Sequence, residues 1–278
     1  MKAITRQINE NLSGSYTTGE ISTLTRIIAT ELLGMSQMAF YLKDDITLTA
    51  EQQTLLDNAI ERLKKQEPIQ YILGYSDFCG LKFKVTPATL IPRPETSELV
   101  EWIASEANGN GSILDIGTGS GCIAVSLAHK LPQSKVTAWD ISPDALAVAT
   151  ENSKANGCAV EFEEIDILAY KPTGELFDII VSNPPYIKEN EKAEMHSNVL
   201  DWEPHTALFV PDNDPLLFYR TIAKKGLTLL KSGGTLYFEI NRAHGTETME
   251  MLVDYGYTNI ELRKDFADND RMIKATRA

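Results

Sequence analysis

Apolar residues along the chain follow two different patterns. Over roughly the first 70 residues they recur at helical spacing: Ile21, Leu24, Ile28 and Leu32 form one stripe, and Leu55, Leu56, Ala59, Ile60 and Leu63 a second. Thr49 and Gln52 stand where a capping box would open the second helix. Helices with a single apolar stripe must bury it against each other, so a small helical bundle is expected. Glu67-Pro68 is expected to end the last of these helices, because the residue before a proline is pushed out of the α region. The following stretch holds Gly74, Gly80, Pro87 and Pro92 around an alternating run, 81–85, that reads as one strand of a hairpin. Arg93-Pro94-Glu95-Thr96 then leads into a helix carrying Leu99, Val100, Trp102 and Ile103. Read alone, its carboxylate and hydroxyl are helix caps.

From Ser112 the pattern becomes short, continuous apolar runs alternating with helices, as expected for parallel strands buried on both faces. Strands are predicted over 112–116, 135–139, 160–165 and 177–182. Helices are predicted over 122–131, from N-cap Ser142 with Pro143 at the first helical position, and from Asp214-Pro215 to Leu230. Ser232-Gly233-Gly234 reads as a turn into a strand over 235–240. The runs 257–263 and 271–276 read as an antiparallel pair at the sheet edge. The fold class is therefore α/β: a Rossmann-like mixed sheet with a small N-terminal helical bundle.

Composition narrows the function. With 278 residues, 43% of them hydrophobic, the chain can hold one large domain and a small one. A net charge of −13 and the lack of an extended Lys/Arg run argue against a direct grip on nucleic acid. Cys79, Cys122 and Cys158 are scattered, as suits a reducing compartment, and His129, His196, His205 and His244 lack ligand spacing, so no metal is expected. The first residues lack an apolar signal core and no apolar run is long enough to span a membrane, which makes a cytoplasmic protein the expectation.

Candidate chemistry sits at the strand ends. Gly117-Thr118-Gly119-Ser120-Gly121 follows the first strand of the second region, and alternate glycines let the backbone approach a ligand closely. This is neither the Gly-x-Gly-x-x-Gly of dinucleotide folds nor a P-loop with its lysine. Asp140 ends the next strand, roughly 20 residues on, where an acid accepts ribose hydroxyls. Asp166 ends the third, placed for an adenine amine, with Ile167 and Leu168 to flank the ring. The fourth strand delivers Asn183-Pro184-Pro185-Tyr186, in which two prolines stop the ladder. The Asn183 amide oxygen and the Pro184 carbonyl can together accept both hydrogens of a planar amine. An adenosine-bearing cofactor beside an amine-holding pocket suits S-adenosylmethionine and methyl transfer to nitrogen.

The chain resembles the HemK/PrmC family of protein-(glutamine-N5) methyltransferases. The resemblance rests on Glu67-Pro68-Ile69-Gln70-Tyr71-Ile72-Leu73-Gly74, Leu90-Ile91-Pro92-Arg93-Pro94-Glu95-Thr96, Leu114-Asp115-Ile116-Gly117-Thr118-Gly119-Ser120-Gly121-Cys122 and Asn183-Pro184-Pro185-Tyr186. Glu203-Pro204, Ala207-Leu208 and Asp270-Arg271 extend it. It implies a helical substrate-docking domain over 1–72, a linker with a hairpin over 73–92 and a methyltransferase domain over 93–278. It further implies that Gly117, Thr118, Gly119, Ser120, Gly121, Asp140 and Ile141 bind S-adenosyl-L-methionine, with Asp166, Ile167, Leu168 and Asn183 near it. Asn183, Pro184 and Tyr186 would act on the substrate amide, with Pro185, Arg93 and Glu95 also on the substrate side. The implied substrate is the Gln of the Gly-Gly-Gln loop of peptide chain release factors, and the implied enzyme a monomer. Asn241, His244 and Asp268 depart from the family pattern. Asn-Pro-Pro-Tyr is shared with adenine-N6 methyltransferases of DNA or RNA, which leaves that activity as an alternative. Methylation of a ribosomal-protein glutamine and a non-catalytic scaffold are the others.

Overall fold

The computed structural model describes residues 2–42, 47–172, 174 and 176–278. Met1 and residues 43–46, within the region expected to be helical, lie outside the described residues. The chain forms two compact units, Met1–Gly74 with His196–Trp202, and Tyr75–Met195 with Glu203–Ala278.

The first unit is helical. Lys2–Leu12 buries Ile4, Ile8 and Leu12, four residues apart on one face. Thr18–Ile27 opens with a capping box between Thr17 and Glu20 and continues through a π turn, Ile28–Leu32. Ala50–Lys64 carries the expected Thr49–Gln52 capping box and buries Leu56, Ala59, Ile60 and Leu63, while Leu55 stays exposed. Glu67-Pro68 does not end the helical region. Pro68 is the N-cap of a further helix, Ile69–Leu73, which stops at Gly74 in left-handed backbone. A proline is tolerated at a helix start because the N–H it lacks has no intrahelical partner there. Glu67, 6% exposed, takes Arg62 Nε at 2.7 Å, and Arg62 also donates to the Tyr71 carbonyl. Trp202 Nε1 donates to the Lys65 carbonyl at 3.1 Å.

The second unit begins with the hairpin β1 (Tyr75–Phe78) and β2 (Leu81–Lys84). Its sheet contains β3 (Ser112–Ile116), β4 (Lys135–Asp140), β5 (Val160–Glu164), β6 (Phe177–Ser182), β9 (Leu230–Glu239), β10 (Tyr257–Lys264) and β11 (Asp270–Arg277). Two short strands, β7 (Ile187–Lys188) and β8 (Phe209–Val210), pair separately. The seven strands run in the order β10-β11-β9-β6-β3-β4-β5, with β11 antiparallel to both its neighbours and the rest parallel. Alternate residues feed two cores. Ile113, Ile179, Val181 and Tyr237 pack with helices Pro94–Glu106 and Cys122–Lys130, whereas Leu114, Ile180, Leu236 and Phe238 pack with Leu217–Leu229 and Gly245–Asp254. Burial on both faces explains why the central strands read as unbroken apolar runs.

Two boundaries differ from the sequence expectation by more than a residue. The helix expected from Asp214-Pro215 begins at Leu217 without a side-chain cap, because Asp214 pairs with Arg220 instead. Ser232-Gly233-Gly234 lies inside β9, at a register shift against β6, rather than before it.

Gly121 combines a left-handed backbone with a close neighbour. Its φ is +79°, and a Cβ there would lie 3.0 Å from that of Ala149. Gly121→Ala is expected to cost about 1–3 kcal/mol, from left-handed strain and overpacking, read as a lower urea midpoint with unchanged slope.

Candidate active site

The carboxyl ends of β3, β4 and β6 frame a cavity of about 370 Å3, at the place where open α/β sheets hold ligands. Gly117, Gly119 and Gly121 all take positive φ, +75°, +56° and +79°. The turn they make is fastened to β4, since the Gly117 and Thr118 amides both donate to the Trp139 carbonyl, at 2.8 and 3.0 Å. From behind, Asn152 donates to the Ser120 carbonyl at 2.8 Å and also bonds both backbone groups of Lys84.

Asp140 completes this wall. Its Oδ2 accepts the Gly119 amide at 2.8 Å and its Oδ1 the Ser142 amide at 2.9 Å. Burial raises its pKa, opposed by these backbone donors. Each carboxylate oxygen keeps a lone pair for a further donor. Asp166 binds back to the Leu168 amide at 2.8 Å, and Lys225 Nζ holds the Leu168 carbonyl at 3.0 Å, which fixes the turn bearing Ile167 and Leu168.

Beneath the glycine turn Asp115 is fully buried. Its Oδ2 accepts Thr118 Oγ1 at 2.6 Å and the Ala124 amide at 3.2 Å, while Oδ1 has no partner among the described residues. Burial pushes its pKa up to about 7. An unfolded aspartate ionises near pH ~3.9, so the folded state holds this proton more tightly. The stabilisation is full below that value and is lost as pH rises through about 7. Asp115→Asn keeps an acceptor for both donors, and a series of urea titrations is expected to show less loss of stability between about pH 5 and 8 than in the parent.

Ser182 Oγ donates to the Ile116 carbonyl at 2.6 Å, locking β6 to β3 just before the Asn-Pro-Pro-Tyr turn. Asn183, Pro184 and Pro185 line the cavity together with Arg93, Gly117, Thr118, Gly119, Ser120, Asp140, Ile141, Asp166, Ile167 and Leu168. Gly121, Glu95 and Tyr186 do not. The Tyr186 side chain instead packs on the core below, its hydroxyl 3.5 Å from Glu239 Oε1. Burial and the Glu239 charge both raise its pKa.

The capping reading of Glu95 and Thr96 does not hold. Arg93 is the N-cap and makes no side-chain cap bond, and Thr96 Oγ1 donates across to Glu239 Oε2 at 2.5 Å. Arg93 pairs with the buried Glu203 at 2.6 Å, whose other oxygen accepts the Ile91 amide at 3.1 Å. This bridge fixes the segment lining one side of the cavity. Glu203, Glu239, Asn152 and Lys225 had no role assigned from sequence. The available signal was a carboxylate closing the apolar run Leu236-Tyr237-Phe238 and another before Pro204.

A mixed seven-stranded sheet with a glycine turn, a strand-end acid and Asn183-Pro184-Pro185 around one cavity defines a methyltransferase. The fold is that of a crystallised methyltransferase from Pyrococcus furiosus, which superposes with a TM-score of 0.55 at 16% identity over 83% of this chain and all of that one. Family profiles agree: "Methyltransferase small domain" matches residues 95–201 and "PrmC N-terminal domain" matches 4–74. A release factor glutamine methyltransferase of Bacteroides thetaiotaomicron is 49% identical over the full length of both chains. One of Flavobacterium psychrophilum is 47% identical over 96% of each. The chain belongs to the release factor glutamine methyltransferase family, HemK/PrmC. Among the described residues no helix is long and apolar enough to cross a membrane.

Proposed function

We propose that the chain transfers a methyl group from S-adenosyl-L-methionine to the side-chain amide nitrogen of the Gln in the Gly-Gly-Gln loop of peptide chain release factors, in the cytoplasm. The observation that carries this is the meeting of Asn183 and Pro184 with the glycine turn and Asp140 in one cavity. The residues fit the cofactor on their own chemistry. Asp140 offers acceptors for a ribose diol, and Ser120 Oγ is buried with no oxygen or nitrogen partner among the described residues. Ile141 and Leu168, 58% and 43% exposed, are apolar surfaces suited to an aromatic ring.

When bound, the cofactor supplies a methyl carbon made electrophilic by its sulfonium. The chain's own part is to prepare the acceptor. An amide nitrogen is a poor nucleophile because its lone pair is delocalised into the carbonyl. The Asn183 amide oxygen and the Pro184 carbonyl accept its two hydrogens, raise the electron density on nitrogen and hold it in line; on methylation the sulfonium would leave as a neutral thioether and the nitrogen would give up one of these hydrogens as a proton. The turn's two prolines fix their own φ angles and restrict the Asn183 backbone, which limits how the Pro184 carbonyl can turn. The helical unit serves as the docking module for the release factor. Met38, Tyr41 and Leu42 on its helix Gln37–Leu42 are exposed at 72%, 69% and 66%, which supports that reading.

The test is transfer of tritiated methyl to a purified release factor and to its loop Gln→Ala variant. Label on the first alone is expected. Label on neither, with label on DNA or a ribosomal protein, would replace the substrate while keeping the chemistry.

A further inference from the structure

The Asn-Pro-Pro-Tyr turn must stay still for its two acceptors to aim an amide, yet its prolines donate no backbone hydrogen bonds. It is held at its far end, through Tyr186. The Tyr186 carbonyl accepts Asn241 Nδ2 at 3.2 Å and the Tyr186 hydroxyl faces Glu239 Oε1 at 3.5 Å. Glu239 is only 1% exposed, and its second oxygen is taken by Thr96 at 2.5 Å. The Tyr219 hydroxyl closes the set, donating to the Glu239 carbonyl at 3.2 Å and accepting the Asn241 amide at 3.3 Å. Three separate segments, at 96, 186 and 219, thus converge on one buried carboxylate and its flanking backbone at 239–241.

A buried carboxylate costs stability unless the interactions it makes compensate, and a packed apolar residue would stabilise this strand end as well or better. What an apolar residue cannot do is accept two hydroxyl protons from different segments. Resting on the methyl-transfer reading above, we propose that Glu239 is a positioning residue: with Thr96 it fixes Tyr186 and so sets the geometry at which Asn183 and Pro184 present their acceptors to the substrate amide. Burial raises the pKa of Glu239 despite the nearby Arg271 and the Thr96 hydroxyl, in keeping with a carboxyl held for its contacts rather than for solvation. Asn241 serves the same turn from its main-chain side, which gives that departure from the family pattern a place in the site.

The test is a double-mutant cycle with Glu239→Gln and Tyr186→Phe. Glutamine keeps the volume but only one acceptor, so it cannot take both hydroxyl protons. Each single variant is expected to lower kcat about ten-fold, with the KM for release factor and the affinity for S-adenosyl-L-homocysteine unchanged. The double variant is expected to lose no more than either single, because both changes cut one connection. Thr96→Val, paired with Tyr186→Phe, repeats the cycle should Glu239→Gln fail to fold. Losses that multiply, or a raised KM at unchanged kcat, would overturn the proposal. Hydrogen exchange at the Ile187 amide, which donates to the Leu208 carbonyl, reads the turn without substrate. Faster exchange in Glu239→Gln or Thr96→Val supports the role and unchanged exchange refutes it, even were wild type inactive on release factors, a result that would count against the substrate reading instead.

Discussion

Asn183→Ala is expected to lower methyl transfer about 10²–10³-fold while binding of S-adenosyl-L-homocysteine stays within about two-fold of wild type. The asymmetry follows from where Asn183 sits. It is delivered by β6, beyond the Ser182–Ile116 bond that locks the strand, whereas the glycine turn is held by Trp139, Asn152 and Asp140. On the proposed function, removing the amide would delete one of two acceptors for the substrate hydrogens. That acceptor matters most as charge shifts off nitrogen in the transition state, so the loss should fall on kcat. Asn183→Asp separates polarity from charge: it keeps the acceptor but adds a negative charge and removes the NH2 group. Partial activity there, against almost none in Asn183→Ala, would assign the effect to the acceptor. Calorimetry with S-adenosyl-L-homocysteine and single-turnover transfer measure the two halves independently.

Asp140→Ala is expected to fail in the opposite way, losing cofactor first. On the proposed function Asp140 would accept a ribose diol, and it is also the clasp between Gly119 and Ser142. Hydrogen bonds to a charged group contribute about 1.5–3 kcal/mol each, so losing those to the ligand should raise the dissociation constant of S-adenosyl-L-homocysteine about 10²-fold. Loosening of the glycine turn adds to this, because the Gly119 amide loses its acceptor. Asp140→Asn retains one acceptor oxygen and is expected to lie between the two. At saturating cofactor the rate of Asp140→Asn should recover most of its wild-type value, which separates it from Asn183→Ala. Affinity near wild type for Asp140→Ala would remove Asp140 from the cofactor site.

Most of the parallel sheet was legible because its strands are buried on both faces and leave unbroken apolar runs, as at Ile113-Leu114 and Ile179-Ile180-Val181. The turns that border the cavity were legible where backbone conformation restricts residue choice, at Gly117 and Gly119 and at the paired prolines. The residues that hold the site were not. Thr96 reads locally as a helix cap, and only the fold reveals that its hydroxyl reaches Glu239, 143 positions away in sequence. Asp214 was misread for the same reason: a residue suited to capping was taken up by Arg220. The helix Ile69–Leu73 escaped notice because a proline before a short apolar run signals a break and a start equally well. Tyr186 illustrates the limit most clearly. Its motif marks it as part of the site, yet its ring lies beneath the cavity, where its contacts are to Glu239 and not to the ligand space.

In the proposed reaction this cavity methylates an amide nitrogen. Tandem mass spectrometry of the release factor after reaction, with Asn183→Ala run in parallel, tests it most directly. One added methyl on the side-chain nitrogen of the Gly-Gly-Gln glutamine is expected with wild type, and at least about a hundred-fold less at matched early time with the variant. A methyl on any other residue, or an equally modified glutamine with Asn183→Ala, would contradict it.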